Sequence, residues 1–259
     1  MLRRMGQFLG VYYAHMLEYR AELFFWVLSG SLPLIMLGIW LEAAASGDFG
    51  LTPVEFARYF FAAFLARQFS VVWVVWEFER EIVQGQLSNW LLQPVDPGWR
   101  HVAEHVGERL ARLPFIVPIA MLFFVIMPEA IWWPGLGRCL GFIVICAAAF
   151  ALRFIVQYTF AMVAFWSERA SAIDQIWFLL FTFLSGYIAP LAVFPEWLQT
   201  ALLWTPFPYF IDVPAAILMG QPVNGIQVVS VMGGWGGLFW LVNRLLWRRG
   251  LKQYSGMGA

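Results

Sequence analysis

Long apolar runs separated by short polar breaks set the pattern of this chain. A helix needs about 20 residues to cross ~30 Å of hydrocarbon. Six runs reach that length, at roughly 23–41, 54–76, 109–128, 139–166, 172–194 and 226–247. The third holds Pro114 and Pro118, which neighbouring helices of a bundle accommodate. The expected fold is an all-α integral membrane protein with six transmembrane helices and no soluble domain. Ahead of the first run, residues 3–22 mix apolar and polar side chains at helical spacing. Phe8, Val11, Tyr12 and His15 or Met16 share one side; Arg4, Gln7, Glu18 and Glu22 lie elsewhere. Residues 1–22 therefore read as a helix lying in the interface, or as a frayed start to the first span.

Two segments break the pattern. Residues 195–220, PEWLQTALLWTPFPYFIDVPAAILMG, are apolar, yet Pro195, Pro206, Pro208 and Pro214 exclude one continuous helix. The pieces 196–204 and 209–219 are each too short to span. Irregular backbone at membrane depth survives only where protein or a water-filled cavity covers it. The segment is expected to form two half-helices re-entering the outer leaflet, with Trp197, Trp204 and Tyr209 at the interface. The other segment is residues 77–97, EFEREIVQGQLSNWLLQPVDP. It opens with Glu77, Glu79, Arg80 and Glu81, of which Glu77 shares a helix face with Arg80 and Glu81. A helix is expected over 82–93, interrupted at Gly85 and closed by Pro94. Leu87, Trp90 and Leu91 form one apolar stripe, with Gln84, Gln86, Ser88 and Asn89 mainly off it. Such a helix cannot cross a membrane and is too apolar to face water alone. A groove on a partner protein or a bed of lipid headgroups would receive it.

Composition agrees with lipid as solvent: 61% of residues are apolar and 12% charged, against roughly 25% charged in soluble domains. The net charge of zero offers nucleic acid no basic surface. The basic residues orient the spans. With the N-terminus inside, Arg3, Arg4, Arg20, Arg80, Arg100, Arg109, Arg112, Arg169, Arg244, Arg248, Arg249 and Lys252 fall on the cytoplasmic side, and Arg138 falls outside. Both termini are then expected in the cytoplasm, the last span and tail occupying 226–259. The start MLRRMGQFLG has no short apolar core and cleavage site, so no signal peptide is expected. Cys139 and Cys146 lie about 10 Å apart on a helix, too far to bridge.

Several residues are candidates for chemistry. Arg58 is near an outer span end and can snorkel. Arg67 with Gln68, and Arg153 with Gln157, sit deeper. A charge there costs at least ~2.5 kcal/mol unless it faces the bundle interior or a cavity. These residues either line a pathway for an anionic headgroup or pair structurally. His101-Val102-Ala103-Glu104-His105 matches H-x-x-E-H, a zinc-peptidase pattern, but a zinc site needs a third ligand and an open cleft. His15 is the only other histidine, so no metal is expected. The run Gly233-Gly234-Trp235-Gly236-Gly237 reads as a close helix contact. Lys252 is the only lysine, so a phosphate-binding G-x-x-x-x-G-K-[ST] loop is absent. Any nucleotide that drives this protein must be bound by another chain.

The order of these signals resembles the permease subunits of type-2 ATP-binding-cassette (ABC) exporters, and most closely their six-span branch with minimal loops. Two stretches carry the resemblance. A Glu-rich exit from the second span leads into a G-x-L-x-x-L-L-x-x-P-like pattern, here Gly85-Gln86-Leu87-Ser88-Asn89-Trp90-Leu91-Leu92-Gln93-Pro94. A late outer segment follows, here PLAVFPEWLQTALLWTPFPYF. Gln93 stands where the family usually has Thr. The specific motifs cover about 45 residues, and topology extends the likeness over nearly the whole chain.

The resemblance implies two permeases, identical or paralogous, above two ATPase subunits that bind ATP and Mg. This chain would bind no cofactor of its own. Gly85, Leu87, Trp90, Leu91 and Pro94 would form the coupling helix docked on an ATPase. Glu77, Glu79, Arg80 and Glu81 would form a hinge paired to Arg3, Arg4 or Arg20. Pro195, Trp197, Pro206, Phe207 and Pro208 would belong to an outer gate. The first, second and fifth spans would build the permease dimer. Phe178, Phe181, Thr182 and Ser185 of the fifth span join Arg67, Gln68 and Arg153 as pathway candidates. The cargo would be a lipid, glycan, peptide or drug-like amphiphile leaving across a bacterial-type inner membrane. Two rivals stay open: a secondary transporter or channel driven by an ion gradient, and a membrane metalloenzyme using H-x-x-E-H. The first would need paired intramembrane acids or an internal repeat, and the sequence shows no repeat.

Overall fold

The structure, a computed structural model, describes residues 10, 13, 18, 20–47, 49–167 and 169–254. The expected interface helix lies almost wholly outside the described residues. All regular structure among the described residues is helical. The helices are α1 (Arg20–Ser29), α2 (Leu32–Ser46), α3 (Pro53–Ser70), α4 (Val74–Val83), α5 (Leu87–Leu91), α6 (Pro97–Ile126), α7 (Leu136–Ala161), α8 (Ser171–Leu184), α9 (Glu196–Leu202), α10 (Asp212–Met219) and α11 (Gly225–Gln253). Short 3-10 turns at Pro128–Ala130, Met162–Phe165, Leu191–Val193 and Pro208–Phe210 join several of them.

Local sequence explains where the helices start. Thr52 and Glu55 form a reciprocal capping box ahead of Pro53, so α3 begins with its first N–H groups satisfied. Asp96 accepts from Gly98 N at 2.8 Å to open α6, again with proline at the first turn. Asn224 accepts from Ile226 and Gln227 to open α11. Pro114 and Pro118 leave α6 continuous over its 30 residues, about 45 Å.

Among the described residues, five stretches are long and apolar enough to cross a membrane: Ala21–Ala45, Pro53–Val83, Pro97–Ile126, Leu136–Phe165 and Gly225–Gln253. The expected fifth span, 172–194, differs. Its helix α8 has 14 residues, about 21 Å, short of the hydrocarbon thickness. The chain leaves the helix at Ser185, and Gly186 takes φ +90°, a conformation open to glycine and strained for other residues. A Cβ at Gly186 would stand 2.3 Å from the Tyr59 hydroxyl. The fold-back therefore depends on glycine for space as well as for torsion.

The second long stretch is also not one helix. α3 stops at Ser70, Val71 turns extended (φ −65°, ψ 138°), and α4 restarts at Val74. No proline or glycine causes this break. Two side chains of α6 hold its freed backbone groups instead. Arg109 Nη2 donates to Val71 O at 2.6 Å, and Trp73 N donates to His105 Nε2 at 3.1 Å. A break within a membrane helix persists only when its polar groups are satisfied in this way.

α3 is the central element, with Phe56, Phe60 and Phe64 fully buried. The main core forms where it meets α7, α10 and the Pro208–Phe210 turn. A second cluster lies beneath, where Phe78 of α4 meets Tyr158, Met162, Phe165 and Leu87. α6, α7 and α11 expose apolar side chains such as Val125, Val144 and Leu241, as lipid-facing helices require.

Candidate functional site

The densest polar cluster joins α4 to the first half of α6. Arg100, His101, Glu104, His105, Glu108, Arg109 and Arg112 recur at three- and four-residue intervals, which puts them along one side of α6. That side faces inward: Arg100, His101, His105, Glu108 and Arg112 are all buried. α4 presents Glu77 and Glu81 to it. Arg100 binds Glu81 directly. His101 stands 3.4 Å from Glu77 and 3.4 Å from Glu81 through its two ring nitrogens. Arg112 pairs with Glu108 one turn earlier and stacks over Trp73 at 5.1 Å.

His105 is set apart from this network. It accepts from Trp73 N, and its Nδ1 lies 2.7 Å from His101 O. Those two bonds fix a neutral ring with its proton on Nδ1. The H-x-x-E-H segment thus does not converge on one metal through both histidines, because His105 is committed to the α3–α4 break.

The cluster reaches the expected coupling segment. Arg100 lies over the Trp90 ring at 4.1 Å. Ser88 Oγ is 3.2 Å from the Tyr254 hydroxyl at the end of α11. The helix itself differs from the expected 82–93. α4 ends at Val83, Gly85 turns at φ +70°, and α5 spans only Leu87–Leu91. The expected stripe also divides. Leu87 is fully buried in this chain's own core, packed with α4 and α7, and Trp90 is half-buried under Arg100. Leu91 and Leu92 point outward, Leu92 at 87% exposure. Pro94 is exposed in the turn that follows. Leu87 is therefore an anchor for α5, and the surface open to another molecule is Leu91–Leu92.

Among the described residues the acids meet partners on α6 and α8. Glu77 and Glu81 face α6, where Arg3, Arg4 and Arg20 were expected; Arg3 and Arg4, with the Arg20 side chain, lie outside the described residues. Glu79 caps α8, accepting from Ser171 N at 2.6 Å and Ser171 Oγ at 3.2 Å. A carboxylate there satisfies an open N–H and meets the positive end of the helix dipole. Arg80 is exposed.

The deep arginines take aromatic neighbours. Arg153 is 2% exposed and lies 4.1 Å over Phe181 and 5.9 Å from Phe210; among the described residues its Nε and Nη1 have no hydrogen-bond partner. Arg67 lies 5.8 Å over Tyr187, and its Nε is likewise unpartnered. Gln157 donates to Asp174 at 2.8 Å. Gln68 does not join this group: it donates to Val27 O at 3.1 Å and ties α1 to α3. Ser185 is buried near the fold-back, whereas Phe178 is exposed and Thr182 bonds its own helix at Phe178 O.

On the opposite end, Tyr59 reaches both Gly186 O (2.8 Å) and Asp212 Oδ1 (2.9 Å), and Leu191 N donates to Asp212 at 3.0 Å. Burial pushes the Asp212 carboxyl above its usual range, against the Leu191 N–H and Tyr59 hydroxyl that favour its charged form. α9 and α10 are the two short helices expected in 195–220. Pro195 and Trp197 are exposed, while Pro206, Phe207 and Pro208 are buried, Phe207 against Trp177 at 4.6 Å. A cleft of about 330 Å³ opens between this segment and the start of α11.

Sequence reasoning missed Tyr59, Glu108, Asp174 and Asp212, and the joint role of Arg100 and Glu104. The four-residue recurrence of charge through HVAEHVGERLAR was the signal for the α6 group. Tyr59 and Asp212 are far apart in sequence and left none.

A membrane-depth helix break, a short amphipathic segment at the exit of the second long stretch and a punctuated outer segment define a multi-pass transport subunit. The chain belongs to the ABC-2 family: a family model described as ABC-2 family transporter protein matches residues 50–258. It is an ABC transporter permease, of a family whose members generally pair with ABC ATPase subunits. No curated protein matches the chain.

Proposed function

We propose that this permease works in an ATP-driven exporter for an amphiphile carrying an anionic group. It is powered by separate ATPase subunits that bind ATP and Mg and dock beneath α5, with a second permease, identical or paralogous, beside it. The carrying observation is the Leu91–Leu92 surface, held out from the protein by buried Leu87 on one side and by the Trp90–Arg100 contact on the other. A partner's groove covers such a surface, and the lone Lys252 leaves nucleotide binding to that partner. The arginine count still favours an inner membrane with both termini in the cytoplasm, short α8 making the fifth of six crossings before the chain folds back at Gly186. The α9–α10 segment then forms the outer gate. Arg67 and Arg153, with unpartnered nitrogens among aromatics, would meet the headgroup of the cargo.

The test is co-purification with the products of its neighbouring genes, followed by ATP hydrolysis in lipid nanodiscs. Leu92→Asp is expected to abolish ATPase capture and substrate-stimulated hydrolysis without changing the unfolding midpoint. Full capture by this variant would sink the docking assignment. Transport by the purified chain under an ion gradient alone, with no ATPase, would favour the secondary-transporter reading.

A further inference from the structure

We infer that the cavity between α3, α6 and α7 is a binding site for one acyl chain of a membrane phospholipid, with Arg109 meeting the phosphate at one end. The cavity holds about 220 Å³. Phe69 of α3, Val106 of α6 and Phe142, Ile143 and Ala147 of α7 line it, and Arg109 is its charged wall. An apolar cavity of ~150 Å³ already stays dry and takes up an apolar ligand. Drug-sized ligands occupy ~300 Å³ or more, so this space fits a slender chain.

Two observations choose the occupant. The cavity is continuous with the lipid-facing surface: Ile143 and Ala147 are both exposed, on a stretch long and apolar enough to cross a membrane. What enters from that side is hydrocarbon. Arg109 supplies the charge complementary to a phosphate. It stands where the third apolar run begins and lies 3.5 Å over Phe150, the lining residue of α7 nearest the coupling segment. Its Nη2 donates to Val71 O, while its Nε is buried without a hydrogen-bond partner among the described residues. Glu108 beside it is taken by Arg112. A guanidinium with unused donors at the edge of hydrocarbon attracts a lipid phosphate.

The site touches the helix break. Phe69 lies in the last turn of α3, and Arg109 both walls the cavity and holds Val71 O. A chain filling the cavity keeps water from that bond, and a hydrogen bond is electrostatically stronger in drier surroundings. A phosphate on the guanidinium fixes it from a second side. Bound lipid thereby steadies the α3–α4 angle, and with it the end of α4 that leads into α5. The site does not depend on the exporter reading, because lipid retention is read without any ATPase.

The full chain is purified in detergent, stripped of lipid and given phosphatidylglycerol whose acyl chain carries a diazirine. A single lipid should survive transfer into native mass spectrometry. Crosslinks should concentrate at Phe142, Ile143 and Ala147 over the exposed Val125 and Leu241. Ala147→Trp, which fills the cavity from an exposed position, should cut retention at least ~10-fold. Val144→Trp, at an exposed α7 position outside the lining, should leave it unchanged. Diacylglycerol with the same chains, lacking the phosphate, should bind about fivefold more weakly, the effect of one arginine near an anionic headgroup. Phosphatidylglycerol should also raise the unfolding midpoint of the unaltered chain, a readout that survives if Ala147→Trp misfolds. Crosslinks spread evenly over exposed apolar positions, or retention unchanged by Ala147→Trp, would mean ordinary boundary lipid only and overturn the site. So would equal retention of phosphatidylglycerol and diacylglycerol, since Arg109 would then meet no phosphate.

Discussion

Replacing Arg100 with methionine isolates the contact that ties the cluster to the coupling segment. Its guanidinium binds Glu81 with side-chain exposures of 10% and 6%, so water screens the pair little. It also stacks on Trp90 at 4.1 Å. Removing one partner of a buried pair costs about 3–5 kcal/mol, mostly because the surviving charge stays buried. Losing the cation–π contact adds roughly 0.5–1 kcal/mol. At 1.4 kcal/mol per factor of ten, the loss approaches two to four orders of magnitude in the folding equilibrium. Methionine keeps most of the apolar stem, so the loss reports the charge. Pairing Arg100→Met with Glu81→Met should recover most of it, since an apolar replacement of both partners is often close to neutral. The assay is reversible unfolding in mixed micelles across the full double-mutant cycle. A single-variant cost below about 1 kcal/mol, or a double variant no more stable than Arg100→Met, would refute a buried, mutually dependent pair.

Three further outcomes follow from particular contacts. His105→Leu removes the acceptor of Trp73 N, and should cost about 1–3 kcal/mol and speed amide exchange at Trp73; His105→Gln, which can still accept, should recover part of it. Gly186→Ala brings a Cβ to 2.3 Å from the Tyr59 hydroxyl and 2.8 Å from Asp212 Cβ at a positive φ, so it should lower yield and unfolding midpoint far more than Gly233→Ala, where the added Cβ meets nothing within 4 Å. Leu87→Ala, at a fully buried position, should destabilise by roughly 2–5 kcal/mol in chemical denaturation, whereas the exposed Leu92→Ala should leave stability unchanged.

Near-continuous apolar runs and a 12% charged composition made the membrane class, most of the spans and the two anomalous segments readable in advance. These are one-dimensional properties: hydrocarbon demands length and low polarity, and proline forbids a continuous helix. Residues 195–220 illustrate this, since their four prolines placed two short helices close to where α9 and α10 stand. The polar interior was not readable in the same way. The break at Val71–Trp73 contains no residue that breaks helices; Arg109 and His105, more than thirty positions away, stabilise it. Leu87, Trp90 and Leu91 share a helical stripe in sequence, but which of them faces out depends on where Phe78 and Arg100 arrive. The same holds for the acids of α4. Sequence put them at the end of a long apolar stretch, while the packing of α6 and α8 chose Arg100, His101 and Ser171 as their partners. Solvent preference is written residue by residue, so the sequence alone determined a helical membrane protein. Pairing of buried polar groups is settled by distance between elements, so only the tertiary structure decided the site.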